Sequence, residues 1–160
     1  MTSKALYHSP LGDIEVVGDD SAVTALRFIP ISITSTITNS TPLKETFRWL
    51  DIYFSGRSPQ FLPPLRPQGT PFQLRVWHEL LKIPYGTTTT YGDIARHVGC
   101  RSAQAVGQAI GHNPIAIIIP CHRVFGADGT PTGYAYGIEH KMQLLNIERS
   151  DRLSSGTNWQ

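Results

Sequence analysis

Four prolines fall within the stretch SPQFLPPLRPQG, from Ser58 to Gly69, and they constrain how the rest of the chain can be organised. Each proline holds φ at about −65° and brings no backbone N–H, so neither a helix nor a strand ladder continues through the segment. The 160-residue chain therefore reads as two parts meeting there. An N-terminal domain covers 1–66 and a C-terminal domain 67–150, with a polar tail over 151–160 that frays. Pieces of this size are still long enough to bury a core.

Before the prolines, short apolar runs alternate with turn signals: KALYHS, PLGD, IEVVG, DDS and AVTALRFIP. That pattern predicts an antiparallel meander. A helix is expected next, because Leu43, Phe47, Leu50 and Phe54 share one helical face, with Thr41 as N-cap, Pro42 at the first helical position and Gly56 closing it.

After the prolines, TPFQLRVWHELLKIPYG opens with Thr70, Pro71 and Gln73 in capping-box order. Phe72, Val76, Leu80 and Ile83 mark the face to be buried, and Pro84 and Gly86 stop the helix. Two short helices follow, one capped by Thr90 and ended at Gly99, the other capped by Ser102 and ended near Gly111 and Asn113-Pro114. Their close spacing suggests a helix-turn-helix. The second carries small residues at Ala103, Ala105, Gly107 and Ala109, which permits close approach to another surface but on its own favours close packing in a small core. The apolar run Ile115 to Ile119 reads as a strand ending at Pro120, where the chain bends and exposes Cys121. In the last helix Ile138, Met142 and Leu145 share a face.

Net charge is only +2, which permits a nucleic-acid partner without announcing one. The N-terminus has no signal-peptide pattern, and no apolar stretch reaches the ~18 residues needed to span a bilayer. A cytoplasmic protein is expected, nuclear in a eukaryote, with its two cysteines, Cys100 and Cys121, held as free thiols.

The chemistry gathers at IIIPCHRVFG, residues 117–126. A thiol becomes a nucleophile as its thiolate and needs a base nearby; His122 adjoins Cys121, and Glu148 could fix the imidazole tautomer from its other side. The same pair taken alone favours a blander reading, a small buried hydrophobe beside a structural histidine. Zinc is disfavoured, since no C-x-x-C or H-x-x-x-H pattern accompanies the pair, and no cysteine precedes Cys100.

IPCHRV at 119–124 closely resembles the active-site signature of the O6-alkylguanine-DNA alkyltransferases. The resemblance extends through FQLRVWHELLKIPYGTTTTYGDIA, AVGQAIGHNP, GADGTPTGYAYG and Glu148, nearly all of residues 70–148, and is coarser before that, where SPLG is its clearest trace. It implies an α/β fold, a small N-terminal sheet with a helix followed by a mostly helical, winged-helix-like domain whose helix-turn-helix enters the minor groove. It implies transfer of a methyl or other small alkyl group from O6-alkylguanine, with O4-alkylthymine a further candidate, to Cys121, once per molecule and without a cofactor or metal. The partner is double-stranded DNA carrying the lesion, and the protein is expected to be a monomer with no membrane association.

Carried over by position, Cys121 accepts the alkyl group, His122 is the base acting through water, Glu148 orients it, and Tyr91 donates a hydrogen bond to the flipped guanine. Val124 and Cys121 offer carbonyls to the exocyclic amine, Tyr134 and Tyr136 line the pocket, and the Ala135 amide faces O6. Asn113 ties the recognition helix to the active-site segment, and Arg123 holds that segment in place. Ser102, Ala103, Gln104, Ala105 and Gly107 would face DNA.

Three positions depart from the family pattern. Gln104 replaces the usual arginine finger, Tyr136 stands where glycine is frequent, and Ala116 stands where some members have proline. The first predicts slower extrusion of the base; the other two bear on which adducts fit. Two rival readings remain: a non-catalytic sensor of alkylated DNA, which in the alkyltransferase-like proteins lacks the cysteine that Cys121 supplies here, and a cysteine-histidine hydrolase, which would need an oxyanion hole and multiple turnover.

Overall fold

The computed structural model describes residues 2–30, 40–129 and 133–154. It divides into two compact units, Met1–Pro67 together with Ile147–Gln160, and Gln68–Asn146.

In the first unit, β1 (Ser3–Ser9), β2 (Gly12–Gly18) and β3 (Val23–Phe28) form an antiparallel sheet in the order β1-β2-β3. The register runs from Ser9 opposite Gly12 to Ser3 opposite Gly18, so a Pro10-Leu11 turn closes the first hairpin. Alternation places Ile14 and Val16 on the buried side of β2, as the period-2 pattern requires. The second connection is built on Asp19, whose Oδ1 accepts from the amides of Ser21 at 2.8 Å and Ala22 at 3.0 Å. Its other oxygen pairs with Arg66. These donors hold the Asp19 carboxyl down at about 2.

Helix α1 (Thr41–Phe54) begins one residue earlier than expected. Ser40, not Thr41, is the N-cap; its backbone is extended and its Oγ accepts from the Leu43 amide at 3.3 Å. The buried face is also rotated from the expected one. Leu43, Thr46, Leu50 and Tyr53 are fully buried, whereas Phe47 and Phe54 are half-buried and pack their rings against Tyr7. The proline-rich segment carries no ladder, but it is not detached. Val23 donates to the Pro64 carbonyl and Arg66 donates to the Val23 carbonyl, each at 2.8 Å, forming a single parallel bridge at Leu65. The bridge forms where the segment still has an amide to give.

In the second unit, α2 (Pro71–Leu80) has the full capping box. Thr70 Oγ accepts from Gln73, and the Gln73 side chain accepts from the Thr70 amide. Trp77 is buried, and its indole N–H donates to the Ala109 carbonyl at 2.8 Å, joining α2 to α4 (Ala103–Gly111). A Cβ on Gly69 would come within 2.5 Å of the Trp77 ring, so the residue before the cap must be small. Helix α3 (Tyr91–His97) is capped by Thr90 and α4 by Ser102. Between them Gly99, at φ +70°, makes the left-handed turn that ends α3. Two-residue strands β4 (Thr89–Thr90) and β5 (Val124–Phe125) pair in parallel, and this pairing sets the start of α3 beside the residues that follow Cys121.

Two expectations fail here. Ile115–Ile119 is not a strand. Ile118 donates to the Ala116 carbonyl at 2.8 Å around Ile117, whose φ is +70°, and Cys121 donates to the Ile119 carbonyl at 2.8 Å around Pro120, at φ −84° and ψ 64°. These are a γ-turn and an inverse γ-turn in succession. The whole run is buried, and a short apolar run carries no periodicity that separates a strand from a buried turn. In α5 (Ile138–Ser154), Ile138 and Met142 are exposed, and the buried stripe is Lys141, Leu144, Leu145 and Glu148. Spacing of three, four and seven is helical, but two of its four members are charged, so a search for apolar periodicity passes over it. With those corrections, the molecule has the expected α/β architecture, an antiparallel sheet and helix followed by a mostly helical part.

Candidate active site

Cys121 opens a one-turn 3₁₀ helix, Cys121–Arg123, between the double γ-turn and β5. The expectation that Pro120 would expose the thiol is not met: Cys121 is only 7% exposed, because the turn folds the segment into the core. Asn113 builds the support. Its Oδ1 accepts from the Ile115 amide at 3.0 Å, while Nδ2 donates to the Ile119 carbonyl at 2.8 Å and to Cys121 Sγ at 3.2 Å. One amide therefore spans the turn that carries Cys121 and touches its sulfur. Arg123 is turned away; its guanidinium donates to the Ile83 carbonyl at 2.8 Å and lies over the Tyr85 ring, which secures the loop after α2.

Cys121 forms part of the wall of a pocket of about 170 Å³, lined also by Tyr91, Gly107, Asn113, Ala116, Tyr134, Ala135 and Tyr136. Pockets for drug-sized ligands run to roughly 300–1,000 Å³; this one is smaller. Tyr134 and Tyr136 meet edge to face at 5.6 Å between ring centroids, and Tyr134 meets the His122 ring at 6.5 Å. His122 is fully buried, as is Val124, and neither is among the residues lining the pocket. Ser102, Ala103 and Gln104 are exposed at the start of α4, and Ala105 and Gly107 are half-buried behind them. Glu148 belongs to the other unit. It is fully buried and its Oε2 accepts from the Tyr53 hydroxyl at 2.7 Å, a partner that sequence reasoning did not anticipate.

Burial pushes the Cys121 thiol above its ordinary value, with the Asn113 hydrogen bond and the positive charge of Lys141 pulling the other way. Lys141 is a residue the sequence reading missed. It is fully buried, and its Nζ donates to the Val124 carbonyl at 2.5 Å. Its one sequence signal is its place in the α5 stripe. Among the described residues no group of three or more His, Cys, Asp or Glu side chains could hold a metal ion.

A thiol held by an amide thus lies in the wall of a small pocket, and in the same unit two capped helices are present, the second with an exposed N-terminal turn. Two family models divide the chain between them: residues 3–67 match the ribonuclease-like domain of 6-O-methylguanine DNA methyltransferase and residues 71–150 match its DNA-binding domain. A methylated-DNA–protein-cysteine methyltransferase of Methanosarcina acetivorans is 43% identical over 91% of this chain and 97% of its own length. The crystal structure of the Mycobacterium tuberculosis O6-methylguanine methyltransferase superposes with a TM-score of 0.84 at 41% identity, covering 94% of each chain. A further structure from that organism, in complex with DNA, gives 0.81 at 42% identity over 92% of this chain and 93% of that one. The chain belongs to the 6-O-methylguanine DNA methyltransferase family.

Proposed function

We propose that Cys121 is the acceptor through which this protein repairs DNA, taking a methyl or other small alkyl group from O6 of guanine, once per molecule. The activity is that of a methylated-DNA–protein-cysteine methyltransferase, and DNA is the partner. What supports Cys121 as the acceptor is the position of its Sγ, held at 3.2 Å by Asn113 Nδ2 in the wall of the pocket.

In the transfer, the Sγ–C bond forms as the C–O6 bond breaks, and the electron pair of that bond leaves with the guanine, which then takes up a proton. The thiol must first lose its own proton, because only the thiolate is a competent nucleophile. His122, next in the chain, is the base, acting through water. The role assigned to Glu148, orienting that imidazole, rests on the family resemblance. Tyr91, in the pocket wall, is assigned the hydrogen bond to the flipped guanine. The product thioether has no route back to the thiol, so the protein is consumed.

A base stacked in a duplex does not reach a buried thiol, so the target must be extruded, at a cost of a few kcal/mol that is lowest for a badly paired lesion. The exposed first turn of α4, Ser102 to Gln104, is the surface we assign to DNA, entering the minor groove. We assign a monomer located in the cytoplasm, or in the nucleus of a eukaryote; no described helix is long and apolar enough to cross a membrane.

Incubation with a duplex containing O6-methylguanine tests the assignment. The expected result is one added methyl by intact mass, mapped to the peptide containing Cys121 and absent from Cys121→Ala. Protein that binds the lesion but gains no mass would instead be a damage sensor, and repeated turnover of an ester substrate would indicate a hydrolase.

A further inference from the structure

Lys141 is one of four lysines in the chain, and its burial is complete. A buried ammonium is expensive unless it is paired and hydrogen-bonded. Its Nζ donates to the Val124 carbonyl at 2.5 Å, reaches the Gly133 carbonyl at 3.5 Å and stands 4.7 Å from the centroid of the Phe125 ring. Val124 and Phe125 follow the Cys121 turn directly, and Gly133 lines the pocket with Cys121. One side chain thus joins the segment that carries Cys121 to Gly133, another part of the same wall.

We propose that Lys141 is a positioning residue for the alkyl transfer, its ammonium fastening the Val124 carbonyl to the Gly133 edge of the pocket and serving as the counter-charge of the Cys121 thiolate. The proposal rests on Cys121 being the acceptor. No proton passes through the lysine. It stays an ammonium while the thiol proton leaves toward His122, and the thiolate charge disappears when the neutral thioether forms. Burial lowers the Lys141 ammonium to about 8, and the neighbouring Cys121 raises it, the reciprocal of the pull that Lys141 exerts on the thiol. Other ionisable groups around the pair are His122 next to Cys121, Tyr91, Tyr134 and Tyr136 in the pocket wall, and Arg123, whose guanidinium is engaged at Ile83. Lys141 is thus a buried ammonium hydrogen-bonded to the carbonyl three residues after Cys121.

The test is the pH profile of single-turnover methyl transfer from O6-methylguanine DNA by wild type, Lys141→Met and Lys141→Arg. Alongside it, the thiolate of each is titrated by its ultraviolet absorbance without DNA, against Cys121→Ser as blank. Lys141→Met is expected to move the thiolate midpoint up by about one unit and to slow transfer about tenfold at neutral pH, with the gap closing in alkali. Lys141→Arg is expected to restore most of the midpoint. A Lys141→Met protein with the wild-type midpoint, whatever uniform loss of rate it shows, overturns the proposal, because a purely structural tie would slow transfer without moving the ionisation. If the variants fail to fold, the wild-type protein and Cys121→Ser decide it. The Lys141 ε-methylene titration, followed by NMR, should fall to lower pH when the thiolate is removed, and an unchanged midpoint overturns the proposal. Neither titration uses substrate, so both still judge Lys141 if the wild type takes no methyl and the assignment of Cys121 fails.

Discussion

Asn113 has the most to do of any single residue. Its amide satisfies one backbone N–H, one carbonyl and the Cys121 sulfur, so it couples the shape of the turn to the state of the thiol. Asn113→Ala should cost about 1–3 kcal/mol through the buried groups it leaves unpaired and slow single-turnover transfer by at least about tenfold, since the largest influence lowering the thiol is lost. Urea midpoints and transfer rates on the same variant check both halves. The turn itself stores strain: Ile117 is β-branched and sits at φ +70°, a conformation costing on the order of 1–3 kcal/mol outside glycine, tolerated because its side chain is fully buried. Family resemblance brought Tyr91, Asn113, Cys121, Tyr134, Ala135 and Tyr136 to notice, and the structure lines one pocket with them. Lys141 was not legible, because a lysine in a terminal helix reads as a solvated charge until its burial is seen.

Elements were legible where their cause is local. The capping box of α2, the Thr90 and Ser102 caps and the left-handed turn at Gly99 depend on side chains within a few residues of the backbone they serve. The Asp19 turn is also local, and it has a measurable consequence. The folded pKa, about 2, lies below the ordinary aspartate value of 3.8, so Asp19 contributes stability that is fully present above the unfolded value and lost as pH falls toward 2. Asp19→Asn should therefore be less stable at neutral pH and lose less on acidification between pH 5 and pH 2, as followed by denaturant midpoints. By contrast, the turn at Ile115–Ile119 and the buried stripe of α5 were misread. Both are set by what packs around them, and neither has a local residue that announces it.

The surface proposed above to meet DNA is the exposed start of α4. Gln104 is exposed and uncharged where the resembling proteins usually carry an arginine. Gln104→Arg is expected to speed extrusion and transfer several-fold and to steepen the salt dependence of binding by up to about one phosphate equivalent; stopped-flow fluorescence of a base analogue and salt titrations measure the two. Identical rates in both proteins would remove Gln104 as a limit on repair.

From its amino-acid order alone, this chain declares two parts divided at the prolines, an antiparallel meander and helix, two capped helices in tandem, and a cysteine whose signature places it among the alkyltransferases. These are properties of neighbours: turn chemistry, caps, periodicity and a contiguous motif. The tertiary structure decided that the Cys121 segment is a buried double turn, that one asparagine supports it, that Tyr53 donates to Glu148 and that a lysine twenty residues on donates to the Val124 carbonyl. Each of those contacts depends on residues apart in the chain meeting in a desolvated space. There a hydrogen bond or charge is worth far more than in water, and no local pattern records which of them will meet.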